Sequence, residues 1–191
     1  FVGTKSLLGS DILTQSSFLS HKFKVADSPF NGEPVSLIAP IKHDVGIVQV
    51  QRVDEEGNAQ AWGPLGPNKW GINSCSKVII CAEEIVPSDV IRKEPQRTMI
   101  PGFKVDAIIE EPWGSYPDYM PGYYDRDWKY FPVYYEATKT EEGFNRYLEE
   151  WVYGCKCRKE YLTKIGQSRL DELKAKPWQG SPVNYGYCTT F

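Results

Sequence analysis

Short runs of apolar and β-branched residues, separated by turn residues, recur along residues 35–111 and constrain the fold more than any other feature. The runs are Val35–Ile41, Val45–Val53, Lys77–Cys81 and Lys104–Ile109. Near-continuous hydrophobic strands are typical of a sheet that helices cover on both faces. The intervening residues 67–76 and 87–93 fit short connecting helices. The sequence therefore predicts an α/β fold with an open, mainly parallel sheet.

The composition is that of a folded protein. The chain has 191 residues, of which 41% are hydrophobic and 25% are charged, and its net charge is −3. A chain of this length buries about 70% of the surface that its unfolded form exposes, so we expect one domain over residues 1–191. The acidic balance excludes nucleic-acid binding that rests on bulk positive charge. The apolar runs are shorter than the roughly 20 residues that a membrane-spanning helix needs.

The five cysteines predict reduced thiols and a cytoplasmic location, because an odd number is scattered through a chain that needs no crosslinks. Two of them, Cys155 and Cys157, are separated by a single residue. This spacing is wrong for a zinc site or a redox CxxC motif, and no histidine lies nearby in the sequence. We therefore expect no metal site.

The sequence changes character after Glu111, where aromatic residues become dense. They are Trp113, Tyr116, Tyr119, Tyr123, Tyr124, Trp128, Tyr130, Phe131, Tyr134 and Tyr135. Interspersed prolines argue against a regular helix through this stretch, so an ordered loop is expected over residues 112–139. Acidic residues outnumber basic ones here, which is unlike a surface that follows a phosphate chain. Tyrosine and tryptophan at this density favour a subunit interface.

Helical spacing begins at Thr140. Phe144, Tyr147, Leu148, Trp151 and Val152 recur at helical intervals, and Gly154 supplies a stop. A further helix is expected over residues 158–174. The organisation is thus a sheet region over residues 1–111, an aromatic loop over 112–139, helices over 140–176 and an irregular tail over 177–191.

Few residues suggest chemistry by themselves. Neither His21 nor His43 lies in a nucleophile motif, and no glycine-rich phosphate-binding loop is present. Glu83 and Glu84 directly follow a predicted strand, a position where ligands gather in α/β sheets. Either carboxylate could act as a nucleophile or base. The favoured alternative is structural, with the pair capping a helix or binding Arg92 or Arg97.

Asn58 and Gln60 lie in a loop that follows the strand Val45–Val53. Their amides and the adjacent glycines suit close approach of the backbone to a polar ligand. The alternative is a hairpin turn that leads into a short edge strand. The sequence leaves these two interpretations open.

Several segments together resemble the α (A) subunit of family I CoA-transferases, the group that includes glutaconate CoA-transferase. They are FVGTKSLLGSD (1–11), SPFNGEPVSLIAPIKHDVGIVQVQRVDEEGNAQAWG (28–63), KVIICAEEIVP (77–87), IPGFKVDAIIEEPWGSYP (100–117), GYYDRD (122–127) and EEWVYG (149–154). The resemblance runs in order through nearly the whole chain. It matches the later portion of such a polypeptide and implies the NagB/RpiA-like sheet of that family.

The resemblance also implies a partner and a reaction. In the family, a glutamate of the β (B) subunit carries the acyl group and then CoA, so that a CoA thioester is a substrate and no cofactor is bound covalently. No ENG motif of the family's nucleophile occurs here, so no catalytic residue is assigned to this chain. The expected partners are the β subunit, which carries that glutamate, together with the earlier portion of its own subunit that contains the family's glycine-rich turn.

Four residues are expected to bind substrate: Lys5, Gly9, Asn58 and Gln60. Relatives usually have arginine at the position of Lys5, and an ammonium cannot form the two-point contact that a guanidinium makes with a carboxylate. Two alternatives to CoA transfer stay open. A related branch of the superfamily opens the rings of steroid or aromatic CoA thioesters, and the chain could instead be a non-catalytic interface module.

Overall fold

The computed structural model describes residues 1–15 and 21–176, which form two compact units. The first unit comprises the described residues of Phe1–Asp44 with Ser74–Ser76, and the second comprises Val45–Asn73 and residues 77–176. The expectation of a single domain stays a prediction.

A three-stranded antiparallel sheet forms the first unit. Its elements are β1 (Val2–Thr4), α1 (Asp11–Gln15), β2 (Phe23–Asp27) and β3 (Pro34–Ile38). The strand order is β1-β3-β2, and Ile38 lies opposite both Val2 and Phe23. Gly32 has a φ of 70° in the turn between β2 and β3, a conformation that glycine adopts without steric cost.

A five-stranded sheet organises the second unit, in the order β7-β5-β4-β6-β8. Its elements are β4 (His43–Val53), β5 (Ala59–Gln60), α2 (Asn68–Asn73), β6 (Cys75–Ile85), α3 (Ser88–Lys93), β7 (Thr98–Ile100) and β8 (Ala107–Glu110). Its core includes Val50, Val53, Ile80 and Ile100, which are fully buried. All four predicted strands and both predicted connecting helices are therefore present.

The α/β class is confirmed, but the sheet is mixed where a mainly parallel one is expected. Strands β6 and β8 pair in parallel, whereas β5 pairs antiparallel with both β4 and β7. The reason is the tight turn after Asp54. Its carbonyl accepts a hydrogen bond from Gly57 (3.0 Å), whose φ is 88°, and so short a connection returns the chain in the opposite direction.

Helices dominate the C-terminal part. They are α4 (Tyr130–Ala137), α5 (Glu141–Tyr147), a π-helical segment (Leu148–Tyr153), α6 (Arg158–Ile165) and α7 (Gln167–Leu173). Helix α4 corrects the expectation of a loop over residues 112–139, because Pro132 lies in its first turn, where a missing N–H costs nothing. The expected helix over residues 158–174 is divided at Gly166, which has a φ of 93°.

The hydroxyl of Thr140 accepts a hydrogen bond from the amide of Gly143 (3.1 Å) and so caps α5. Cys81, Cys155 and Cys157 form no disulfide in the described part of the chain. Within residues 1–15 and 21–176, no helix is long and apolar enough to cross a membrane. The predicted tail over residues 177–191 lies outside the described residues.

Candidate functional site

Glu83 lies near the end of β6 and is almost fully buried. Its carboxylate accepts hydrogen bonds from the Tyr124 hydroxyl (2.6 Å), the Gln49 side-chain amide (2.9 Å) and the Trp113 backbone amide (2.7 Å). One donor comes from β4. The other two come from residues 113–135, which follow β8 and which we call the aromatic stretch. We call Glu83 and its three partners the Glu83 cluster. It joins two neighbouring strands to the aromatic stretch.

Trp113 occupies an unusual backbone conformation within this cluster. Its φ is 66°, which is costly for a residue with a side chain and persists where surrounding contacts fix it. Those contacts are the hydrogen bond to Glu83, a hydrogen bond from Arg158 to the Trp113 carbonyl, and stacking of the indole on Tyr124 with ring centroids 4.2 Å apart. The backbone at Trp113 is therefore fixed by contacts to its amide, its carbonyl and its indole ring.

The pKa of Glu83 is raised above its usual value. Burial is the main cause, because it disfavours the charged carboxylate, and the hydrogen bonds from Tyr124, Trp113 and Gln49 partly oppose the rise. Burial and the adjacent Glu83 also raise the pKa of Tyr124. Glu83 already accepts hydrogen bonds from three donors. In this arrangement its role is to hold the aromatic stretch in place.

The structural interpretation of Glu83 and Glu84 is thus favoured, but the expected arginine partners are wrong. Glu84 accepts a hydrogen bond from the Tyr123 hydroxyl (2.5 Å). Arg92 instead forms an ion pair with Glu56, and Arg97 forms one with Glu94. Two adjacent glutamates therefore bind two adjacent tyrosines of the aromatic stretch.

A cleft of about 300 Å³ lies beside the Glu83 cluster. Gln49 and Gln51 of β4, Trp62, Ser115 and Met120 contribute to its lining. The Gln51 side-chain amide donates to the Trp62 carbonyl (2.9 Å), and its oxygen accepts from the Trp62 amide (3.3 Å). The lining combines neutral polar groups with aromatic and thioether surface and includes Asp118, whose carboxylate is paired with Arg126 at 2.6 Å.

Asn58 and Gln60, two of the predicted site residues, lie together in the second unit. The Asn58 side chain donates to Asp54 (3.0 Å) and accepts from the amide of Gly102 (3.0 Å). The buried Gln60 donates to the carbonyls of Ile91 (2.9 Å) and Glu94 (2.7 Å). Both amides therefore connect parts of the fold, and β5 lies between β7 and β4 rather than at an edge.

Lys5 and Gly9, the other two predicted site residues, lie in the first unit. The Lys5 ammonium forms an exposed ion pair with Glu33. Gly9 has a φ of 75°, with open space where a side chain would begin. The substrate-binding assignment of Lys5, Gly9, Asn58 and Gln60 stays a prediction.

Sequence reasoning missed Gln49, Gln51 and Tyr124. A signal for the two glutamines is present, because the alternation Gln49-Val50-Gln51 places both amides on the same face of the strand, after the apolar run Val45–Val48. The described part of the chain contains no group of His, Cys, Asp and Glu side chains that could hold a metal ion.

Comparisons with known proteins agree on one family. The Coenzyme A transferase family model matches residues 14–111. The chain is 36% identical, over 85% of its length, to the A subunit of glutaconate CoA-transferase from Acidaminococcus fermentans. It is 27% identical, over 88% of its length, to the A subunit of 3-oxoadipate CoA-transferase from Pseudomonas knackmussii. The resemblance predicted from the sequence is thereby confirmed.

Comparison with solved structures leads to the same family. The structure matches the crystal structure of glutaconate coenzyme A-transferase from Acidaminococcus fermentans with a TM-score of 0.87, at 31% identity over 96% of the chain. The chain spans 51% and 58% of the lengths of the two curated relatives, and 62% of the chain in that crystal structure.

Proposed function

Because the chain belongs to the coenzyme A transferase family, we propose that it is part of the A subunit of a heteromeric CoA-transferase. The reaction moves CoA between an acyl-CoA and an organic acid in the cytoplasm. The observation that supports this most is the 36% identity to the A subunit of glutaconate CoA-transferase over 85% of the chain.

The proposed nucleophile is a glutamate of the partner B subunit. Its carboxylate attacks the acyl-CoA thioester, giving an acyl-glutamyl anhydride and free CoA thiolate. The thiolate then attacks the glutamyl carbonyl, which releases the first acid and leaves a glutamyl-CoA thioester. An acceptor carboxylate reverses these steps and departs as the new acyl-CoA. No cofactor is consumed.

The proposed role of this chain is to shape the substrate cavity. The cleft beside the Glu83 cluster provides neutral amides and aromatic surface, and Glu83 is already occupied by three donors. We propose that Lys5 contributes a point charge for a substrate carboxylate, and that Gly9 lets the backbone approach the substrate. Asn58 and Gln60 would act by fixing the shape of the loop they connect.

The aromatic stretch supplies the proposed contact with the B subunit. Helix α4 buries none of its residues, and Val133 and Tyr135 are 69% and 64% exposed. Exposed apolar and aromatic surface of this kind is typical of protein interfaces. This arrangement supports a partner that covers α4.

Co-expression of this chain, within its complete A subunit, with a B subunit of the same family tests the proposal. The purified complex is supplied with a dicarboxylic acyl-CoA and acetate, and acetyl-CoA is measured by chromatography. We expect ping-pong kinetics and a CoA adduct found only on the B subunit, detected by mass spectrometry of the separated polypeptides. Each of the two polypeptides by itself serves as a control.

Two outcomes contradict the proposal. Ring opening of a cyclic CoA thioester without an acceptor acid would indicate the related ring-cleaving reaction, and a stable complex with neither activity would indicate an interface module.

Lys5→Gln and Lys5→Arg form a matched pair in the same assay. We expect Lys5→Gln to raise KM for the dicarboxylic substrate with little change in kcat, and Lys5→Arg to preserve KM.

A further inference from the structure

A second and larger cavity lies among the C-terminal helices, apart from the cleft beside the Glu83 cluster. Its volume is about 760 Å³, within the range of roughly 300–1,000 Å³ that small-molecule sites occupy. Its lining comes from the segment before α4, from α4 and α5, from the π-helical segment, and from α6 and α7. The proposed transfer reaction does not use it.

Aromatic rings form much of the lining of this helical cavity. They belong to Tyr116, Tyr130, Tyr134, Tyr147 and Trp151. The rings of Tyr130 and Tyr134 are stacked with centroids 5.9 Å apart, and the ring of Tyr147 meets that of Tyr134 edge-on at 5.0 Å. Because aromatic rings prefer stacked or edge-on aromatic partners, a lining rich in rings favours a planar ligand.

The charge of the helical cavity is opposite to that of the whole chain. Four basic side chains and two acidic ones line it: Lys129, Arg146, Lys164, Arg169, Asp127 and Glu150. Both acidic groups already have cationic partners, since Arg169 binds Asp127 at 2.5 Å and Lys164 binds Glu150 at 3.1 Å. Lys129 is paired with Glu172, which lies outside the lining, at 3.7 Å. This leaves Arg146 as a positive charge for a ligand, although the chain as a whole carries −3.

We propose that the helical cavity binds a planar aromatic ring that carries an acidic group, either a carboxylate or a phosphate. The rings accommodate the flat apolar body of such a ligand, while Arg146 attracts its charge. A guanidinium can bind either acidic group at two points. An aryl carboxylate and a nucleotide share this chemistry.

Calorimetric titration of the purified protein, together with any partner polypeptide that accompanies it, tests this inference. The probes are 1-naphthoate and adenosine 3′,5′-bisphosphate, and their uncharged counterparts are 1-naphthalenemethanol and adenosine. Cyclohexanecarboxylate provides an anion without a planar ring. We expect at least one planar anion to bind, and the uncharged and non-planar compounds to bind at least about tenfold more weakly.

Two variants locate the binding. Arg146→Gln should weaken the planar anion about tenfold without changing the uncharged probe. Arg146→Glu reverses the charge at an exposed position of the lining, where folding should tolerate it, and should abolish binding of the anion. Lys159→Gln removes a charge from an exposed residue of α6 that does not line the cavity, and should change nothing.

The inference is overturned if neither planar anion binds, if the uncharged probes bind equally well, or if Arg146→Gln behaves like Lys159→Gln. Binding by both planar anions, or by one of them, supports it and identifies the source of the acidic group. These measurements contain no turnover step. The outcome is therefore independent of whether the complex transfers CoA.

Discussion

The backbone amide of Trp113 donates a 2.7 Å hydrogen bond to Glu83, which joins the chain after β8 to the interior of β6. The same carboxylate accepts from Tyr124 and Gln49. Buried donors that lose their acceptor are costly. Glu83 is therefore an acceptor that helps to fix the position of the aromatic stretch.

Replacing Glu83 tests this role. Glu83→Leu leaves the Tyr124 hydroxyl and the Trp113 amide without their acceptor, whereas Gln49 keeps the Glu111 carbonyl. We therefore expect the free energy of unfolding to fall by about 2–6 kcal/mol. Glu83→Gln keeps the size and one acceptor oxygen, and should cost about 1–3 kcal/mol. Urea unfolding followed by tryptophan fluorescence measures both. The exposed Glu55→Gln is the matched control, and a Leu variant as stable as this control would contradict the assigned role.

Much of the fold follows from local sequence signals, whereas the Glu83 cluster does not. The β-branched runs predict β4 and β6, and Thr140 marks the start of α5. Glu83 finds its partners 34 and 41 residues away in the chain. No spacing rule reports such contacts, because they depend on which strands become neighbours. The favoured pairing of Glu83 with Arg92 or Arg97 fails for this reason.

Helix α4 shows a different limit of sequence reasoning. Pro132 argues against a helix when it is counted among the prolines of the aromatic stretch, but it lies in the first turn of α4, where the helix tolerates it. The boundary at Tyr130 decides the outcome, and boundaries are the least certain part of a sequence-based assignment.

Substitution of Gly114 tests how tightly the chain next to Trp113 is packed. A methyl group there would lie 2.2 Å from the side-chain oxygen of Gln49, so Gly114→Ala should cost about 1–3 kcal/mol of unfolding free energy. The control is Gly71→Ala in α2, where open space surrounds the added carbon and a gain of about 0.5–1 kcal/mol is expected. Both are measured by urea unfolding.

A second variant separates crowding from other effects at Gly114. Gln49→Ala removes the obstructing side chain, so adding Gly114→Ala to it should cost at least about 1 kcal/mol less than in the parent chain. Equal costs in the two backgrounds would show that the Gln49 contact does not limit the size of residue 114.

The lowered pKa of Asp127 predicts that the folded protein loses stability in acid. Burial would raise the pKa of this carboxyl, but hydrogen bonds from Arg169 and Tyr116 outweigh burial and lower it. The unfolded chain then binds the proton more tightly, so the stabilisation is present above the ordinary pKa of 3.8 and is lost as pH falls below it. Unfolding free energies between pH 3 and 7 should show this decline, and Asp127→Asn should remove it.

The raised pKa of Glu83 predicts that stability depends on pH in the opposite direction. Its pKa is raised chiefly by burial, so the folded chain binds the proton more tightly than the unfolded chain. The resulting stabilisation is complete below the ordinary pKa of 4.5 and is lost as pH rises through the raised value. The difference in unfolding free energy between the parent chain and Glu83→Gln should therefore shrink as pH increases from about 4 toward 7. A difference that grows over this interval would mean that the hydrogen bonds outweigh burial and that the pKa of Glu83 is lowered.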